Sequence, residues 1–269
     1  FSNMPTTLII TVYKDYLALE RVLDSVLRQS QIPNQLILAH DTIDATIQEV
    51  IDKFTPQLII TYINQEDTGF NKNRILNKAI LAANNDRIIF IDGDCILHPK
   101  FIEAHRKGIK EGVFTAGRRL DLDSHSSETI RKKGINTINL IKLLWNKTKR
   151  IEEGFYLPFV PISNKKDPKL LGCNMGWHKN DLIALNGFDM DYSLPGYGED
   201  TDIEFRAKRK GLISKNMRWR AIQYHLYHDR PDREKDISQS YALFQQKKEQ
   251  GYYYCENGIS TLMHQFPHE

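Results

Sequence analysis

Four short apolar runs alternate with three segments of helical spacing before Cys95, and the fourth run leads directly into Asp92-Gly93-Asp94. Thr7 to Val12, Leu36 to Ala39, Leu58 to Ile63 and Arg87 to Ile91 are the strand-like runs. Their β-branched and aliphatic residues follow one another without polar interruption, as in strands buried on both faces. Between them, Leu19, Val22, Leu23, Val26 and Leu27 recur at helical spacing. A second helix is expected through Val50 and Ile51, ending before Pro56, and a third from Asn73 to Ala83. The pattern predicts an α/β fold: a mostly parallel central sheet flanked by helices. Ligands of such sheets bind at the carboxyl ends of the strands, which is where Asp92 and Asp94 fall.

The rest of the chain is less regular. Ser124 to Arg150 interleaves bases with apolar residues and reads as an amphipathic helical hairpin. Leu157 to Lys169 is expected to be a loop, Asn180 to Asn186 a short helix closed by Gly187, and Glu199 to Lys210 a helix stopped by Gly211. We expect a single domain over residues 4–269, in two halves at 4–117 and 118–269. Phe1-Ser2-Asn3 before Met4 reads as a cloning remnant. With 37 Lys and Arg against 34 Asp and Glu, the charge is too balanced for a nucleic-acid partner. Three dispersed cysteines without a C-x-x-C pair argue against a disulfide framework or zinc site, and fit a cytoplasmic setting.

Two acidic clusters carry the chemistry. In Asp92-Gly93-Asp94, two carboxylates separated by one glycine leave a strand end together, an arrangement able to hold a hard divalent cation and leave room for diphosphate oxygens. The bland alternative is a polar loop capping the next helix. In Gly196-Tyr197-Gly198-Glu199-Asp200-Thr201-Asp202, three acids crowd one helix start. Acids there complement the helix dipole in any protein, but mutual repulsion also raises the proton affinity of one of them. A carboxylate so placed can accept a proton from a hydroxyl. Near the end, regular strand alternation would point His225 and His228 to opposite faces, and His228 is the one expected to reach a metal.

Taken together, these residues resemble the inverting glycosyltransferases of family 2, from about Thr6 to His228. The resemblance implies an A-type nucleotide-sugar fold with a nucleotide-binding half at 4–117, an acceptor-binding and catalytic half at 118–269, and Asp92-Gly93-Asp94 as its D-x-D motif. Thr11 and Tyr13 then flank the nucleobase with Asp41, and Lys72 or Arg74 serves the diphosphate. Gly172-Cys173-Asn174-Met175 and Asn186-Gly187-Phe188-Asp189 resemble the acceptor side of the galactosyltransferase-like and chondroitin-polymerase-like branch. That places Asn174 and Trp177 at the donor or acceptor sugar. Gly198-Glu199-Asp200 matches the branch's G-E-D, which makes Asp200 the base and sets Glu199 against donor sugar or acceptor.

The expected activity is metal-dependent transfer of a hexose or N-acetylhexosamine from a UDP-sugar to a glycan or lipid-linked acceptor in polysaccharide or glycan synthesis. Asp94 and His228 would hold Mn2+ or Mg2+, and Asp92 and Gly93 would lie against the donor. Residues 124–150 are expected to allow peripheral contact with the inner face of a membrane. A sugar-phosphate nucleotidyltransferase is the alternative enzyme, although the first strand lacks the Gly-rich loop it needs. A non-catalytic sugar-nucleotide-binding module is the alternative without chemistry.

Overall fold

A computed structural model describes residues 4–138, 143, 148–162, 168–229 and 233–265, without the side chains of 233–236 and 265. In chain order the first elements are β1 (Thr6–Val12), α1 (Tyr16–Leu27), β2 (Gln35–His40), α2 (Ile47–Phe54), β3 (Ile60–Asn64), α3 (Lys72–Ala82) and β4 (Arg87–Asp92). Then come β5 (Cys95–Leu97), α4 (Phe101–Gly108), β6 (Val113–Ala116), β7 (Arg118–Asp121) and α5 (Ser124–Lys133). The remainder supplies β8 (Met175–His178), α6 (Lys179–Ala184), α7 (Asp200–Arg209), β9 (Ile213–Asn216), β10 (Ile222–His225), α8 (Arg233–Gln250) and α9 (Ile259–Gln265).

Seven strands form one sheet in the order β3-β2-β1-β4-β8-β6-β9. β1 runs parallel to β2 and β4, and β2 parallel to β3. β8 is antiparallel to both β4 and β6, which restores the original direction in β6 and β9. Alternate residues of β1 feed two cores. Leu8, Ile10 and Val12 pack with α1 and α2, while Ile9 packs with Ile75, Leu76, Ala79 and Ile80 of α3. Burial on both faces explains the uninterrupted apolar runs of β1, β2 and β4, whereas β3, at the edge of the sheet, is only partly buried despite its apolar sequence. The chain moves outward from β1 through β2 to β3, then returns to place β4 on the other side of β1. The strand order therefore reverses between β1 and β4, the place where open α/β sheets form a ligand crevice. Thr11 and Asp92 are register partners there.

A second sheet has the strand order β5-β10-β7. Its β5 starts one residue after Asp94, and β10 lies antiparallel to it with His225 opposite Cys95. Beyond β10 the backbone continues the pairing through the Leu226 N–H, which donates to the Asp94 carbonyl at 2.9 Å. Ser124–Lys133 is helical as expected and is followed by a 3-10 turn at Ile135–Thr137. The rest of the expected hairpin falls largely on 139–142 and 144–147, outside the described residues. No described helix is long and apolar enough to cross a membrane.

Candidate active site

Asp94, His225 and His228 converge. Asp94 Oδ2 lies 3.3 Å from His225 Nε2 and 3.4 Å from His228 Nε2. One ligand atom from each of the three falls within 4.8 Å of the others. The expectation that the two histidines diverge is corrected: β10 ends at His225, so strand alternation no longer governs His228. His225 is buried and has Asp121 Oδ1 at 3.4 Å from its Nδ1, which orients the ring, while His228 is exposed. Burial alone would favour the protonated Asp94 carboxyl, but the His225 and His228 contacts outweigh it and hold the group well below its ordinary range.

Asp92 turns the other way. Thr11 Oγ1 and Lys72 Nζ each donate to its Oδ1 at 2.7 Å. The same ammonium lies 2.9 Å from Glu199 Oε1. Lys72, at the start of α3, thus bridges the acid pair after β4 and the acidic start of α7. Burial opposes its charge, yet the Asp92 and Glu199 carboxylates lift it well above its ordinary value. Glu199 is pushed up to about 7, by burial first and by the Asp92 and Asp200 charges next, against the pull of Lys72. Burial also raises Asp200, whose Oδ2 accepts from the Gly172 N–H at 3.3 Å and whose Oδ1 accepts from Thr201 Oγ1 at 3.1 Å.

The neighbouring segments explain why these acids stay in place. A side chain at Gly172 would put its Cβ 2.0 Å from Glu199 Oε1, so only glycine allows that approach. Asn73 and Asn77, one turn apart on the buried face of α3, clamp the loop leading to α7. Asn73 Nδ2 donates to the carbonyls of Asp189 (2.6 Å) and Gly198 (2.9 Å). Asn77 donates to the Phe188 carbonyl and accepts from the Phe188 N–H. Neither asparagine is among the site residues expected from the sequence. Their signal was available: two amides at i and i+4 on the face that also carries Ile75, Leu76 and Ala79.

The remaining expected residues divide into two groups. Tyr13 is exposed at the rim, its hydroxyl donating to Asp67 Oδ2 at 3.3 Å. Asp41 accepts from Gln65 Nε2 at 2.6 Å, and burial pushes its carboxyl up. Arg74 is half-buried on the first turn of α3. Gly93 donates its N–H to the Thr11 carbonyl at 2.8 Å, closing the turn between Asp92 and Asp94. Asn174 and Trp177, by contrast, have no exposed surface. Asn174 donates to the carbonyls of Arg118 (2.6 Å) and Ala221 (3.0 Å) and pairs with His105 Nε2 (2.8 Å). Trp177 stacks on Phe114 with ring centroids 4.5 Å apart. The expected sugar contacts are therefore corrected: both side chains are committed to the interior, where they join strands β6, β7, β8 and the segment before β10.

The family model described as Glycosyl transferase family 2 matches residues 7–164. Chondroitin synthase of Escherichia coli is 24% identical over 207 residues, which are 71% of this chain and 30% of that protein. Validoxylamine A glucosyltransferase of Streptomyces hygroscopicus subsp. limoneus is 22% identical over 228 residues, 78% of this chain and 49% of that protein. The chain therefore spans half or less of each of these relatives. Among solved structures, GalNAc-T7 with UDP, GalNAc and Mn2+ is similar with a TM-score of 0.61 at 13% identity, over 90% of this chain and 48% of that one. Mannosyltransferase PcManGT from Pyrobaculum calidifontis, in complex with GDP-Man and Mn2+, gives 0.60 at 13% identity, over 90% and 64%. S. aureus TarS 1-349 in complex with UDP gives 0.58 at 15% identity, over 90% and 65%. At such identities the structural likeness establishes the fold.

Proposed function

The chain belongs to glycosyl transferase family 2 and has the A-type glycosyltransferase fold, and from that premise we propose that it inverts configuration as it moves a hexose or N-acetylhexosamine from a UDP-sugar to an acceptor hydroxyl. One observation supports the reading above the others: Lys72 spans 2.7 Å to Asp92 and 2.9 Å to Glu199, so one acid of the pair after β4 and one at the start of α7 meet at a single cation. A donor bound at the first set has its sugar directed at the second.

In this reading Thr11, Tyr13 and Asp41 hold the nucleoside, and Lys72 and Arg74 are the cations offered to the diphosphate. Asp94, His225 and His228 would hold a divalent cation. Their mixed carboxylate and imidazole donors suit manganese better than magnesium, which prefers oxygen ligands. When bound, that ion supplies positive charge against the departing diphosphate. Asp200 takes the proton from the acceptor hydroxyl as that oxygen attacks the anomeric carbon, and the nucleoside diphosphate leaves from the opposite face. Its raised pKa brings it closer to the working range of a general base. Glu199 sits beside it to contact sugar or acceptor. The UDP found with TarS and GalNAc-T7 favours uridine as the base, and the GDP-Man of the mannosyltransferase makes nucleotide preference a necessary control.

The acceptor in this proposal is a growing glycan or a lipid-linked sugar. Contact with a membrane through 124–150 draws little support from the described part of that stretch. Arg131 is matched one to one by Asp15 at 2.9 Å and Lys132 by Glu128 at 2.6 Å, so these two bases carry no excess positive charge for a lipid.

The base assignment is tested by Asp200→Asn. Calorimetric titration with UDP and manganese should give unchanged affinity, while transfer falls by roughly 10²–10⁴-fold. Transfer at the normal rate in that variant would remove Asp200 from the role.

A further inference from the structure

The loop from Phe155 to Ile162 exposes an apolar run to which the reading above gives no role. Phe155, Tyr156, Leu157 and Val160 are each more than one-third exposed, and Phe159 is 96% exposed. The backbone beneath them is pinned. The Leu157 N–H donates to the Trp219 carbonyl at 3.0 Å and the Val160 N–H to the Leu157 carbonyl at 3.2 Å. Arg220 Nη2 donates to the carbonyls of Pro158 (3.1 Å) and Val160 (3.2 Å), and the Tyr156 ring stacks on His98 at 4.8 Å. A loop fixed this firmly presents its apolar side chains outward as part of its shape. Contiguous exposed apolar patches on soluble domains mark interaction sites.

The chemistry beside the loop says which kind. Tyr156, Pro158 and Ile162 also line a cavity of about 480 Å³ whose other walls carry Lys100, Lys107, Lys215 and Arg220. Glu103 is the only carboxylate among the described residues lining it, and Lys100 and Lys107 already neutralise it at 2.8 and 2.6 Å. An aromatic and aliphatic wedge rimmed by cations is the composition that inserts into the interface of a negatively charged bilayer. We propose that the Phe155–Ile162 loop and its basic rim dock this protein onto a membrane surface containing anionic lipid. Phe159 enters the acyl boundary, and Lys215 and its neighbours meet the headgroup phosphates. The proposal does not depend on the donor, the acceptor or the base assigned above.

The test is co-sedimentation of the full chain with vesicles of phosphatidylcholine alone and of phosphatidylcholine with phosphatidylglycerol. Binding is expected only to the second, weakening as salt rises. Phe159→Ser should lower it about tenfold, from the lost apolar insertion. Lys215→Glu should lower it about tenfold or more, each basic residue near an anionic surface being worth about fivefold. Both variants should keep the parent melting temperature and the parent rate of donor hydrolysis in solution. No binding to anionic vesicles at low salt, or binding that Phe159→Ser leaves unchanged, overturns the proposal. So does tight binding of a soluble acidic oligosaccharide without vesicle binding, which assigns the surface to a glycan. A dimer abolished by Phe159→Ser, again without vesicle binding, assigns it to self-association.

Discussion

Glu199 occupies a position where a buried acid meets one cation and two other acids. Its folded value of about 7 stands above the ordinary 4.5, so between those two pH values the folded chain binds more protons than the unfolded one. Stability from this group is therefore present at the acid end of the window and lost as pH rises through 7. The loss amounts to about 3 kcal/mol at most. Glu199→Gln removes the titration. Its unfolding midpoint should match the parent near pH 5 and exceed it by pH 8, as read by denaturant melts at both values. A difference that stays flat across the window would mean that Glu199 is already ionised at its lower end. The identity of such acids was legible in the sequence, since D-G-D and G-E-D stand out as short motifs. Their joint partner was not. Lys72 meets two acids that both follow it in the chain, the farther one beyond five strands and three helices among the described residues, and no local spacing announces that. Asn174 and Trp177 misled for the converse reason: a motif fixes residue types, and only packing decides whether a side chain lines a cleft or fills a core.

Among the elements, α7 carries the acids and depends on a buried ion pair for its placement. Arg206 Nε lies 2.7 Å from Asp202 Oδ2, and both side chains are essentially inaccessible to solvent. The guanidinium also donates to the carbonyls of Leu185 and Gly187 at 2.8 Å each, tying α7 to the end of α6. Asp202 accepts further from Tyr192 (3.3 Å) and Tyr252 (2.9 Å). Arg206→Met strands that carboxylate and frees two carbonyls, so it should cost about 3–5 kcal/mol in a denaturant melt. Adding Asp202→Asn should return part of it by removing the stranded charge. A loss below about 1 kcal/mol for the single variant would show that the pair does not hold the helix. The helices and strands before Cys95 were readable because each buried run is long enough to show its period. Strands β5 to β7, β9 and β10 have three or four residues each, too few for alternation to register. Helix α8, with the sequence REKDISQSYALFQQKKEQ, lacks the sustained apolar stripe that would have announced it.

Across the whole molecule, the two sheets meet at Asp94. This residue ends the turn after β4 of the large sheet, and its histidine partners sit on and just beyond β10 of the small one. A cation held by all three is therefore a cross-link between sheets whose strands are far apart in the chain. It binds the folded state, in which the donors converge, far better than an unfolded chain that keeps 94 and 225 apart. Binding linkage then requires manganese to raise global stability, by about 2.7 kcal/mol at a hundredfold excess over the dissociation constant. Thermal unfolding with manganese against chelator should show that gain as a single displaced transition, since a bridge between sheets stabilises both at once. Asp94→Ala and His225→Ala should each lose the manganese-dependent displacement, whatever they do to the baseline stability. An undiminished displacement in both variants would put the stabilising ion elsewhere, and would remove the source of positive charge that the proposed transfer places against the departing diphosphate.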